Sequence, residues 1–92
     1  MKRIAVISAI LESPSETQEA FNGIVSDYHS IVSGRMGIPF GGERIAVIAI
    51  TVCGELDEIN ALTGKLGRLP ETLVKSAVSK LELDDVVIGG CC

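Results

Sequence analysis

The chain has 92 residues, of which 47% are hydrophobic and only 3% aromatic, a net charge of −4 and a mean hydropathy of +0.42. That length holds one domain with a marginal core, so a composition this apolar predicts that some of it meets another chain. The acidic balance and eight scattered basic residues, in no run longer than Lys2-Arg3, exclude a non-specific nucleic-acid surface, and no segment reaches the ~18 apolar residues of a membrane span.

At the start, Lys2-Arg3 precedes an apolar run, which raises the question of a signal peptide. The run lasts only to Leu11, and Glu12 follows with no small-residue cleavage pattern. The segment from Arg3 to Ile10 therefore reads as a β-branched first strand, and the expected location is cytoplasmic. Ser13-Pro14-Ser15-Glu16 then opens a helix: Ser13 suits the N-cap, Pro14 the first helical position, and Glu16 a capping box. Phe21, Ile24, Val25 and Tyr28 follow at i, i+3, i+4 and i+7, which predicts one apolar stripe on a helix from about Pro14 to Tyr28.

Ile31 to Ile38 reads as a second, glycine-interrupted strand, Pro39-Phe40-Gly41-Gly42 as a turn, and Arg44 to Cys53 as a third strand, making a β-hairpin. A second helix is predicted from about Leu56 to Leu66, with Leu56, Ile59, Leu62 and Leu66 as its buried face. Its acidic start (Glu55, Asp57, Glu58) and basic end (Lys65, Arg68) complement the helix dipole. Pro70 ends the helical pattern, and Thr72 to Lys80 reads as the fourth strand. Residues 1–80 are thus the expected domain. Residues 81–92 are a tail that either adds a strand or stays disordered, with an acidic start, then Val86, Val87 and Ile88, then Gly-Gly-Cys-Cys.

This order, βαββαβ, predicts an α+β ferredoxin-like sandwich, a four-stranded antiparallel sheet with two helices on one face. Right-handed crossovers put both helices on the same side. In the third strand Ile45, Val47 and Ala49 point one way, and Ala46, Ile48, Ile50 and Val52 the other. In the first strand Ile4, Val6 and Ile10 oppose Ala5, Ile7 and Ala9. A strand apolar on both faces is normally buried on both, yet the helices cover only one. A second copy of the chain, as a homodimer or homotetramer, is the expected cover, with the apolar tail as the other candidate.

Three stretches carry a resemblance: Ser33-Gly34-Arg35-Met36-Gly37-Ile38-Pro39, Ile45-Ala46-Val47-Ile48, and Ala61-Leu62-Thr63-Gly64-Lys65-Leu66-Gly67. Together, over residues 3 to 80, they resemble the iron-only hydrogenase system regulator family, a small ferredoxin-like, ACT-like set. The resemblance implies a regulatory oligomer and not an enzyme, with a transcriptional role by name only. A more distant likeness, through Asp27-Tyr28-His29 and the elements after it, is to the C-terminal domain of nickel-responsive repressors. The positions that the likeness would make nickel ligands are Gly37, Pro39 and one near Ile45, none of which binds a metal. No metal, no cofactor and no direct nucleic-acid contact are therefore expected, nor the repressors' ribbon-helix-helix segment, since the first strand starts at Arg3.

The candidate ligand-binding residues are Arg35, Ser13, Glu12 and Gly37. Arg35 lies mid-strand between the small residues Gly34 and Gly37, with room for an anion to approach. It reads either as a site for a small anionic ligand or partner, or as half of an ion pair. Glu12 and Ser13 precede the first helix, and the ACT-like resemblance implies that this loop helps form a small-molecule pocket at a subunit interface. Capping alone also accounts for Ser13, and the loop lacks the glycine of the amino-acid-binding pattern. His29, the one histidine, stands at a helix end, which suits a cation, and a lone histidine makes no triad or multi-histidine site. Gly64-Lys65-Leu66-Gly67 lacks the phosphate-loop spacing and ends a helix instead of opening one. Cys53 reads as a small apolar strand-end residue, and Cys91-Cys92 as an exposed tail without the spacing of a prenylation box.

The expectation is a homo-oligomeric regulatory module whose partners are itself and either a small-molecule effector or another regulatory protein. The alternative is a structural protein-protein interaction module with no small-molecule ligand. Catalysis is the third option. One histidine and no clustered carboxylates leave little for acid-base or nucleophilic chemistry.

Overall fold

The computed structural model describes residues 1–42 and 44–83. Six elements are arranged in the order β1 (Arg3–Leu11), α1 (Pro14–Asp27), β2 (Val32–Phe40), β3 (Ile45–Gly54), α2 (Leu56–Gly67) and β4 (Thr72–Val78). The strands form one antiparallel sheet in the order β2-β3-β1-β4, the ferredoxin-like α+β arrangement. Expectations that concern Val86–Ile88 and Cys91-Cys92 lie outside the described residues. Just before them, Leu83 pairs with Lys2 through two backbone hydrogen bonds of 2.7 and 2.8 Å, and Arg3 bonds Glu82 at 3.1 Å.

The core lies between the sheet and the two helices. Ala5, Ile7, Ala9 and Leu11 alternate inward from β1, opposite Val52, Ile50, Ile48 and Ala46 of β3. From above, α1 supplies Phe21 and Val25, and α2 supplies Ile59, Leu62 and Leu66. The strand residues facing the helices are thus the set that the alternation predicts. Ile24 of α1 and Tyr28, just past its end, lie at the margin of the core and not within it. The Tyr28 ring receives the Lys65 ammonium at 5.0 Å, which ties the end of α1 to the end of α2.

Local chemistry differs from expectation in two places. Ser13 precedes α1 but makes no side-chain cap, and Thr17 instead returns its hydroxyl to the Ser13 carbonyl at 3.1 Å. The reciprocal acidic start belongs to α2, where the Glu58 carboxylate accepts the Glu55 N–H at 3.3 Å. Second, Pro39 and Phe40 continue β2, and the turn is left to Gly41 and Gly42, with φ of 59° and 66°. A proline costs a strand its N–H, which is tolerable because β2 is an edge strand.

Gly54 closes β3 where Ile31 crosses it, and the Ile31 carbonyl accepts the Cys53 N–H at 2.8 Å. A Cβ on Gly54 would lie 2.8 Å from Ile31 Cγ2 and 3.2 Å from Ile31 Cβ. The Gly54→Ala variant is therefore expected to lose about 1–3 kcal/mol by overpacking. In urea denaturation the Gly54→Ala/Ile31→Ala double variant should lose clearly less than the sum of the two single losses, and simple additivity would refute this account of Gly54.

Candidate functional site

Three connections meet at one end of the sheet. The register aligns Leu11 with both Thr72 and Ala46, and Ala46 with Pro39, so the β1–α1 loop, the start of β4 and the β2–β3 hairpin lie side by side. Between the first turn of α1 and the hairpin lies a groove of about 390 Å³. One wall is Pro14, Ser15 and Gln18 of α1, and the other includes Arg35, Gly37 and Pro39 of β2. Ala46 and Ile48 form its apolar floor, and Ile38 and Ile45 its outer rim.

Arg35 reaches this groove because of a register shift. Val32 pairs with Val52, but Gly34 pairs with Thr51, which leaves Ser33 as one extra residue in β2. Because side chains alternate along a strand, one extra residue exchanges the faces of everything beyond it. In the observed register Arg35 lies opposite Ile50, a core residue, and so on the helix side of the sheet. There Nη2 donates to Asn22 Oδ1 at 2.6 Å, and the guanidinium stands 5.6 Å from the Phe21 ring centroid. A guanidinium carries five donors, so this anchorage fixes its position and leaves capacity for a ligand.

Gly37 shares that side of β2, between Arg35 and Pro39. Because it has no side chain, the groove stays open there. A Cβ would meet only Ile48 Cγ1 and the Val47 carbonyl oxygen, each at 3.9 Å.

Glu12 and Ser13 are not part of the groove lining. The Glu12 N–H donates to the Glu71 carbonyl at 2.8 Å, and the Ser13 hydroxyl donates to the Glu71 carboxylate. Glu71 itself has φ of 50°, an uncommon conformation for a residue with a side chain. The pair thus joins the β1–α1 loop to the α2–β4 connection. Of the four sequence candidates, the fold brings Arg35 and Gly37 together and places Ser13 and Glu12 beside them in a structural latch. Sequence reading missed Gln18, Asn22 and Phe21. Their spacing on α1 gives one signal for them, since Phe21 and Asn22 stand at i+3 and i+4 from Gln18.

His29 lies just after α1, exposed, with Nδ1 donating to the Ser26 carbonyl at 2.9 Å. Among the described residues no three His, Cys, Asp or Glu side chains cluster as a metal site, and no helix is long and apolar enough to cross a membrane.

Residues 3–76 match the TM1266-like family model, described as "Iron-only hydrogenase system regulator, putative". The chain belongs to that family. Every segment that carried the sequence resemblance, from Ser33 to Gly67, falls within the matched residues of this regulator family. Among solved structures, the uncharacterized protein TM1266 from Thermotoga maritima is similar, with 26% identity and a TM-score of 0.81. The similarity spans 87% of this chain and 100% of the TM1266 chain. No curated protein matches.

If Ser13 serves the latch and not the groove, the Ser13→Ala variant should lose about 1 kcal/mol of stability in chemical denaturation, the usual net worth of a hydrogen bond. Backbone amide chemical shifts at Arg35 and Gly37 should stay in place in that variant. Displaced groove resonances with unchanged stability would reverse the assignment.

Proposed function

We propose that this chain is a homo-oligomeric, non-catalytic regulatory module of the iron-only hydrogenase system, whose assembly responds to a small molecule bound in the Arg35 groove. Membership of the regulator family supports the regulatory part. The oligomeric part is supported by the sheet face away from the helices, where Leu73, Ile10, Val47 and Ile38 form one apolar row across all four strands. Leu73 is 56% exposed and Ile38 45%, and flanking the row are Met36 at 62% and Phe40 at 52%. By the same alternation Ser8, Thr51 and Lys75 are the polar positions on this face.

Four strands about 4.8 Å apart and some 23 Å long give a face of about 450 Å² in projection, more as accessible surface. That is the scale of the ~600 Å² per partner at the lower end of stable interfaces. A second copy suits it because an apolar patch meets its own image without any charge to match, and Lys75, the cation of this face among the described strand residues, stands on an edge strand.

The observation that carries the combined reading is that Ile38 and Ile45 belong to two sites at once. Both are exposed apolar residues, and both form the groove rim. A ligand that shifts the rim therefore has differential affinity for assembled and separate protomers, which is the requirement for a ligand-driven change of state.

Sedimentation velocity at micromolar concentration should show a dimer or larger species for the wild type. The Ile10→Lys variant should sediment as a monomer, with the helical and strand circular dichroism of the parent, because residue 10 faces away from the core. A wild-type protein that is well folded and monomeric would end the proposal.

A further inference from the structure

We infer that the groove selects small aliphatic monocarboxylates, 2-oxo acids in particular, over amino acids and phosphates. The inference rests on the proposed reading of the groove as an effector site and names the chemical class of the effector.

The charge inventory of the lining decides the class. Among the described residues Arg35 is its one ionisable side chain, and no carboxylate lines the groove. An α-ammonium group entering it would leave water for a floor of Ala46 and Ile48 with no anion among the described lining residues to receive it, a costly exchange. A carboxylate, by contrast, meets a guanidinium whose planar donors match it bidentately. The guanidinium is already held by Asn22 at 2.6 Å and lies over the Phe21 ring at 5.6 Å from its centroid, so part of its freedom is lost before binding. A phosphate dianion would bring a second negative charge, and the described lining has no second cation for it.

The remaining surface fits the rest of such a molecule. Ile38, Ile45, Ala46, Ile48 and Pro14 offer apolar contact to a branched carbon chain. The Gln18 amide and the Ser15 hydroxyl are the neutral polar groups of the opposite wall, and they can donate to a 2-oxo oxygen. Gly37 provides the volume. A side chain there has ordinary contacts with β3 at 3.9 Å and then extends into the groove, so a larger residue fills the site without straining the strand.

The test uses the full chain, uniformly labelled with nitrogen-15, titrated separately with 4-methyl-2-oxopentanoate, leucine and inorganic phosphate. The oxo acid should give saturable shifts at Arg35, Gly37 and Ala46, with leucine and phosphate at least about tenfold weaker, the worth of one charge-assisted bond. The Arg35→Met variant should lose about tenfold or more in oxo-acid affinity. Gly37→Val should lose binding while its thermal midpoint holds or rises, since a β-branched residue suits a strand better than glycine. Leucine or phosphate binding as tightly as the oxo acid would overturn the ligand class and leave the groove as an effector site. Absence of saturable shifts with all three probes would overturn the class and the effector site together. Sedimentation, measured separately, decides the self-association on its own.

Discussion

A four-stranded sheet has two faces, and in this topology the chain's two helices reach only one of them. Most other features of the molecule derive from that geometry meeting strands that carry apolar side chains on both sides. On the helix side, small residues such as Ala5 and Ala9 admit the helices closely, and Phe21, Ile59, Leu62 and Leu66 are fully buried against Ile7 and Ile50. On the other side, the same alternation that builds the core leaves a hydrophobic row in contact with solvent. Apolar patches of several hundred square ångströms are unusual on monomers. The constraint that secures the fold is therefore also the one that leaves the apolar face on which the proposed self-association rests.

The element order, the two amphipathic helices and the division of β1 and β3 into inward and outward sets were all readable from residue patterns. Periodicity is a local property, and local signals were consistent with the final arrangement. Ser13 shows where such reading stops. Its place before Pro14 is that of a helix cap, and a cap is a local reading. Its hydroxyl instead goes to Glu71, 58 positions away, a partner that exists only once β1 and β4 are paired. The latch and the groove are products of tertiary assembly, and no spacing along the chain encodes them directly.

The candidate site divides in the same way. Arg35 and Gly37 stood out as residues because a cation between small neighbours is unusual in a strand. The helix wall opposite them did not, since Gln18 and Asn22 look like ordinary solvent-facing positions of α1. Only the approach of β2 to that helix turns them into neighbours of a cation. The groove thus joins a signal visible in the chain to surroundings that are not.

The additional residue at Ser33 makes this arrangement sensitive to counting. Pair β2 with β3 residue for residue from Val32, without the bulge, and every downstream position of β2 changes sides: Arg35 would move to the greasy exterior, and Met36 would turn toward the helices. Alignments of related chains should accordingly treat a single-residue gap there as the loss of the bulge, which leaves the faces of β2 beyond it unchanged. A homologue of equal length with an arginine at the aligned position but no bulge before it would carry its cation on the opposite surface, and with it a different chemistry.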